Sequence, residues 1–276
     1  MGRTCVLFSS LLLLGCTDAA DGADTTAPAT TLPLEVKRAL LRFEPPVRSV
    51  LAEALAAHGW LDESATIAVV KRTRLLTADA TLDTCYAEAY ALRRAGSTVR
   101  PVPAGDCDAA FAIPESPSRS AARPLAGEAY KRAHFTATLP WRLLDAGTSL
   151  TRRPDTVIAA LNHHLGRAEG LAVRQLLARY PPDDEGDPTA HFFDAGTGRH
   201  LGYLVRHPGG DALVLNDGRD AASGPSPVTH RTTLRLDESG AVAYVRAEFT
   251  YRYPDGLRLT RIDRAELASR KAPLGR

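Results

Sequence analysis

The chain has 276 residues, 44% of them hydrophobic, and its 34 lysines and arginines nearly balance 32 aspartates and glutamates, leaving a formal charge of +2. That apolar content can fill a sizeable core and excludes a disordered chain. No block of lysine or arginine concentrates the charge, so nucleic acid is not an expected partner.

At the N-terminus, Arg3 precedes an apolar run from Cys5 to Leu14 that only Ser9 and Ser10 interrupt. The run suits the core of a secretory signal and is too short to span a bilayer as a helix. It ends in Leu13-Leu14-Gly15-Cys16, which resembles the lipobox of bacterial lipoproteins. The resemblance implies a signal peptide over residues 1–15, a diacylglyceryl group on the Cys16 thiol, cleavage before Cys16 and acylation of its amine. Several acyl chains anchor stably, at about 0.8 kcal/mol per buried methylene. Thr17 stands where an Asp would mark retention at the inner membrane, so the resemblance implies the outer membrane, facing the periplasm. An ordinary cleaved signal that happens to contain a cysteine is the alternative.

Residues 16–33 hold small residues, threonine, aspartate and proline, and read as a flexible tether. From residue 34 to 276 the pattern suits a single folded domain. "LEVKRALLRF" and "VRSVLAEALAAHGW" carry apolar residues at helical spacing and are separated by Pro45-Pro46, with Gly59 placed to end the second helix. Residues 66–76, rich in β-branched side chains, read as a strand. Residues 85–96 read either as an alanine-rich helix or as a strand, and 113–124 as a loop. Residues 155–165 read as a short amphipathic helix between Pro154 and Gly166. The last hundred residues are short extended runs between turns, notably Asp194–Gly198, Asp237–Gly240 and Tyr253–Gly256. Along 243–251, Ala243, Val245, Ala247, Phe249 and Tyr251 alternate with polar neighbours, as in an antiparallel meander.

With Cys5 removed and Cys16 lipidated, Cys85 and Cys107 form an even pair in a compartment that permits disulfides. A bridge would close a loop of about twenty residues and contribute about 3 kcal/mol; two free thiols are the alternative. Two cysteines alone do not make a zinc site. His163 and His164 are adjacent, so a helix points them apart. His191, His200 and His207 fall near one hairpin and read more simply as scattered surface residues than as a metal cluster. "DDEGD" at 183–187 lacks the glycine and distal glutamate of a calcium loop. No G-x-S-x-G occurs, and "GTGRHLG" opens an extended run where a dinucleotide fingerprint needs a helix. No metal or cofactor is expected, and no catalytic residue stands out.

"AAHGWLD", "HFTATLPWRLLDAGTSL", "HFFDAGTGRHLGYLVRH" and the closing "EFTYRYPDGLRLTRID" together resemble uncharacterised bacterial lipoproteins related to the outer-membrane lipoprotein carrier and receptor (LolA/LolB-like) superfamily. The resemblance implies an α+β fold, with a strongly curved antiparallel sheet as an incomplete barrel and helices over its concave face. Such a barrel leaves an apolar cavity able to hold a lipid, an acyl chain or a lipoprotein's lipid without chemistry. The candidate cavity residues are Trp60, Phe135, Trp141, Leu143, Val245 and Phe249. Rival readings are an envelope protein-interaction module and a hydrolase whose residues converge only in three dimensions.

Overall fold

The computed structural model describes residues 34–59, 66–93, 96–101, 123–124, 141–144, 147–180, 188–206, 210–217 and 228–253. Two helices lead. In α1, Leu34–Leu41, Val36 and Leu40 turn inward while Leu34 and Leu41 stay exposed. Helix α2, Pro45–His58, starts on two prolines, which the first helical turn tolerates because its N–H groups have no partner within the helix. It ends at Gly59, whose φ of 73° lets its N–H close on Leu55 O at 2.7 Å. Val47, Val50, Leu51, Ala54 and Leu55 are buried along one stripe, as the helical spacing predicts. Each fully buried leucine stabilises the fold by about 1.5–3 kcal/mol.

Among the described residues eleven strands follow: β1 Thr66–Leu76, β2 Leu82–Arg93, β3 Gly96–Pro101, β4 Arg123–Pro124, β5 Ser149–Val157, β6 Ala172–Arg179, β7 Thr189–Asp194, β8 His200–Val205, β9 Ala212–Asp217, β10 His230–Leu236 and β11 Val242–Arg252. A 3-10 turn at Trp141–Leu144 precedes β5, and α3, Ala159–His164, joins β5 to β6. All the strands form one sheet in the order β4-β3-β2-β1-β11-β10-β9-β8-β7-β6-β5. Every neighbouring pair is antiparallel. The class is α+β, with a curved, unclosed sheet.

The curvature follows from what the core joins. One continuous cluster links Val69 of β1 and Tyr251 of β11 to Leu176 and Ala178 of β6 and Phe193 of β7, through α1, α2, Trp141 and Leu143. In a flat sheet β1 and β6 would stand about 29 Å apart, at about 4.8 Å per strand spacing. Sharing one helix pair bends the sheet around it, so the face bearing these residues is concave. Successive residues alternate faces, so Val173, Phe192, Leu213, Leu215 and Leu234 form a second cluster on the convex side, where Ala160 and Leu161 of α3 cover part of it.

One alternative left open by the sequence is settled, and two sequence expectations change. Residues 85–93 belong to strand β2, because β1 and β3 pair with them on both sides, Val69 opposite Tyr90 and Tyr90 opposite Val99, and this outweighs the helical propensity of the alanines. Residues 155–157 end β5 and are not helical; Pro154 sits at an irregularity in the β5–β6 register on the strand at the sheet's end, where a missing N–H costs no ladder bond. The helix is confined to Ala159–His164. Finally, Arg246 bulges out of β11, because Thr233 and Leu234 of β10 face Ala247 and Val245. The extra residue reverses the alternation and moves Val245 to the convex cluster, while Ala247, Phe249 and Tyr251 stay concave.

Candidate functional site

The concave face is the one place where the described residues gather buried polar side chains in number. Register builds it: Thr73 of β1 stands opposite Phe249 of β11, Phe249 opposite Arg231 of β10, and Arg231 opposite Asn216 of β9. Lys71 lies two residues from Thr73 and opposite Tyr251. Lys71, Thr73, Asn216, Arg231, His191 and His200 are each at most 3% exposed.

A hydrogen-bond chain runs across four of these strands, and its direction is fixed by one residue. Arg231 Nε can only donate, so Asn216 receives it through Oδ1 at 2.8 Å. The amide nitrogen must then face His200, where it lies 2.9 Å from Nδ1 and 3.2 Å from the backbone carbonyl. His200 Nδ1 therefore accepts, its proton is on Nε2, and that group donates to His191 Nδ1 at 3.1 Å. His191 Nε2 in turn donates to the Tyr180 hydroxyl at 2.8 Å. Both imidazoles are neutral in this arrangement. Burial, reinforced by the positive charges of Arg231 and Arg142, pushes the His191 pKa down to about 3. Helix α2 joins in: the His200 backbone N–H donates to His58 Nε2 at 2.9 Å.

Aromatic rings surround the cations. Arg231 lies 6.0 Å from the Tyr203 ring centroid and 5.8 Å from that of Tyr251, and Arg142 lies 4.7 Å from that of Tyr180. Such contacts add about 0.5–2 kcal/mol each. Burial raises the pKa of Tyr203 and Tyr251, so their hydroxyls stay neutral.

The "GTGRHLG" stretch supplies the packing that brings β8 under α2. In the β7–β8 turn, Asp194 Oδ1 accepts from the backbone N–H groups of Gly196 and Thr197 at 3.0 and 2.7 Å and from the Thr197 hydroxyl at 2.9 Å. Its Oδ2 pairs with Arg167 at 2.9 Å. Partial burial alone would raise the Asp194 pKa, but the bonds from Thr197 and Gly196 and the Arg167 charge hold it below the usual value. At Gly198, with φ of 74°, an added Cβ would come within 2.7 Å of Glu53 O in α2. The carboxylate of Glu53 also pairs with Arg174 of β6 at 2.6 Å. These glycines serve close approach.

Of the candidate cavity residues, three come together on the concave side. Leu143 is fully buried, Trp141 is 4% exposed and donates through Nε1 to Gly59 O at 2.8 Å, and Phe249 is half-buried, with Lys71 Nζ 4.9 Å from its ring centroid. Val245 stands on the other face for the reason given above. Trp60 and Phe135, like Cys16 and Cys107, lie outside the described residues, as do His207 and the acidic run 183–187. Cys85 is half-buried in β2, opposite Arg74. His191 and His200, read from sequence as surface residues, are instead core polar groups. Their alternation with Phe192 and Leu201 was the available signal for a strand buried on both faces. Among the described residues no group of three or more His, Cys, Asp or Glu could hold a metal, and no helix is long and apolar enough to cross a membrane.

No family model matches the chain, and no curated protein matches it. Among solved structures, a LolA superfamily protein from Nitrosomonas europaea aligns over 74% of this chain and 90% of its own, at 9% identity and a TM-score of 0.41. A DUF1329 family protein from Desulfovibrio piger aligns over 81% of this chain and 95% of its own, at 9% identity and a TM-score of 0.40. The chain is similar to both.

Proposed function

We propose that this chain is a lipid-anchored protein of the bacterial envelope that binds an apolar or lipidated ligand between its helices and the concave face of its sheet, with no chemical step. The observation that carries the reading is the sheet bent around two short helices, with half-buried Tyr180, Tyr203, Phe249 and Tyr253 packed against the concave core. Rings at the edge of such a face can shift to admit a hydrocarbon chain, each methylene contributing about 0.8 kcal/mol once buried. The exposed Leu34 and Leu41 of α1 support a membrane-proximal placement, because α1 begins where the tether ends.

Two measurements test the reading. The intact mass of the chain purified from membranes is expected to correspond to cleavage before Cys16 with acyl chains added, and alkylation without reductant should leave Cys85 and Cys107 unmodified as a bridged pair. A mass beginning at another residue would remove the anchor, and two alkylated thiols would remove the bridge. For the ligand, native mass spectrometry of the full chain carrying Cys16→Ser, purified without detergent, should show a lipid-sized adduct that organic extraction removes. Recovery of the bare chain alone, even after incubation with phospholipid vesicles, would sink the binding reading.

A further inference from the structure

Helix α1 is apolar on two opposite sides. Val36 and Leu40 turn into the concave core, while Leu34 and Leu41, 63% and 62% exposed, are the two large apolar side chains most open to solvent among the described residues. Seven residues make almost two whole turns, so both leucines stand on one outward stripe, about 10 Å apart along the axis, and Arg38 falls between them on it. Arg38 is exposed and, among the described residues, has no hydrogen bond or ion pair. The other exposed large apolar residues, Leu82, Val157, Leu171 and Val242, are less open and stand at or beside strand ends. The stripe is held in place from below: Arg42 Nη2 donates to Leu144 O at 2.5 Å and Arg48 Nη2 to Phe43 O at 2.9 Å, which fixes the end of α1 against the 3-10 turn and α2. A surface helix that is apolar on both sides has its outer side left to cover.

We propose that the stripe of Leu34, Arg38 and Leu41 lies on a bilayer, with the leucines at the boundary of headgroups and acyl chains and Arg38 among anionic lipid phosphates. Two features point to this occupant. One is charge: residues 34–44 carry Lys37, Arg38 and Arg42 against Glu35 and Glu44, and an arginine set between leucines suits a surface that is apolar below and negative above. The other is position: α1 begins 18 residues after Cys16, and the composition of residues 17–33 is that of a flexible chain, seventeen residues of which span about 23 Å. The placement rests on the anchor reading above and adds an orientation to it. Two leucines and one arginine hold too weakly to recruit a chain from solution, but an anchor keeps them at high local concentration against the membrane. The inner stripe of α1 belongs to the concave core, so docking turns that core towards the bilayer, with α1 between them.

The test is hydroxyl-radical footprinting, which reads side-chain exposure, on the chain from residue 16 onward with Cys16→Ser. A hexahistidine tag at its N-terminus and a nickel-chelating lipid hold it on vesicles, so the result does not depend on acylation of Cys16, which the intact mass decides separately. On vesicles of phosphatidylethanolamine and phosphatidylglycerol, oxidation of Leu34 and Leu41 is expected to fall at least about fivefold relative to the chain in solution, as for side chains sunk about 5–10 Å into the boundary. Leu82, Val157, Leu171 and Val242 should oxidise as before. Arg38→Gln, which removes no hydrogen bond or ion pair from the fold, should shift the docking equilibrium about fivefold towards the free helix, the effect of one charge near an anionic surface. Leu34 and Leu41 oxidised as fast on vesicles as in solution would overturn the proposal, and so would equal protection of Val157 and Leu171, which would mean that no one face meets the membrane. Protection on phosphatidylcholine vesicles equal to that on phosphatidylglycerol would overturn the anionic assignment. Protection in solution that grows with protein concentration would overturn the bilayer in favour of a second copy of the chain.

Discussion

Substituting alanine at Gly202 should lower the unfolding free energy by about 3 kcal/mol or more, at the upper end of what overpacking costs. Gly202 lies in β8 with φ of 157°, and an added Cβ would stand 2.2 Å from Val214 O and 3.1 Å from Leu215 Cα. Both obstacles are backbone atoms of β9, so no side-chain rotation relieves them. The strands would have to separate where Gly202 pairs with Leu215, which also carries Asn216 away from His200. Urea denaturation is the measurement, and Gly196→Ala is the control. Gly196 sits in the same hairpin, has no left-handed φ, and its added Cβ would meet only Asp194 Oδ1 at an ordinary 3.5 Å. Equal midpoints for the two variants would refute the close approach of β8 and β9.

The second large effect is a loss of stability in mild acid. His191 has a folded pKa of about 3 against 6.5 for the free side chain, because burial and the charges of Arg231 and Arg142 disfavour its protonated form. A depressed histidine pKa means that the unfolded chain takes up a proton the folded one refuses. Its contribution is therefore present above pH 6.5 and is lost as the pH falls from 6.5 towards 3. While only the unfolded state is protonated, the slope is about 1.4 kcal/mol per pH unit for one such group. Between pH 6 and pH 4 that amounts to roughly 2.5 kcal/mol, a large part of a typical stability of about 5–15 kcal/mol. Asp194, whose pKa is held below 3.8, loses its own contribution only at still lower pH. Urea midpoints across that window should fall steeply for the wild-type chain and less so for His191→Gln, whose amide can still accept from His200 and donate to Tyr180. Parallel slopes would show that His191 is not the residue kept neutral.

Much of the fold is legible in one dimension because its signals are local. The stripe Val47, Val50, Leu51, Ala54 and Leu55 needs only the helical repeat, and the Asp194 and Asp237 turns need only residues that bond their own backbone, as Asp237 Oδ1 does with the N–H groups of Ser239 and Ala241. Other assignments depend on neighbours distant in sequence. Residues 85–93 are a strand because β1 and β3 stand on either side of them, and no local propensity records that. The face of Val245 turns on one bulged residue, which alternation read along 243–251 passes over.

The candidate site divides along the same line. Sequence by itself determined the buried stripe of α2, the run of short strands in the last hundred residues and the hairpin punctuation, because turn chemistry and hydrophobic period act within a few residues. The tertiary structure alone decided that His58, His191, His200, Asn216 and Arg231 form one hydrogen-bonded system, and that Lys71 and Arg142 share its face. These residues come from five strands, a helix and a 3-10 turn, and each is unremarkable in its own segment. Their charge and hydrogen-bonding capacity acquire meaning only when the sheet curves and withdraws them together from water, where an amide, an imidazole or a guanidinium must find its partner inside the protein.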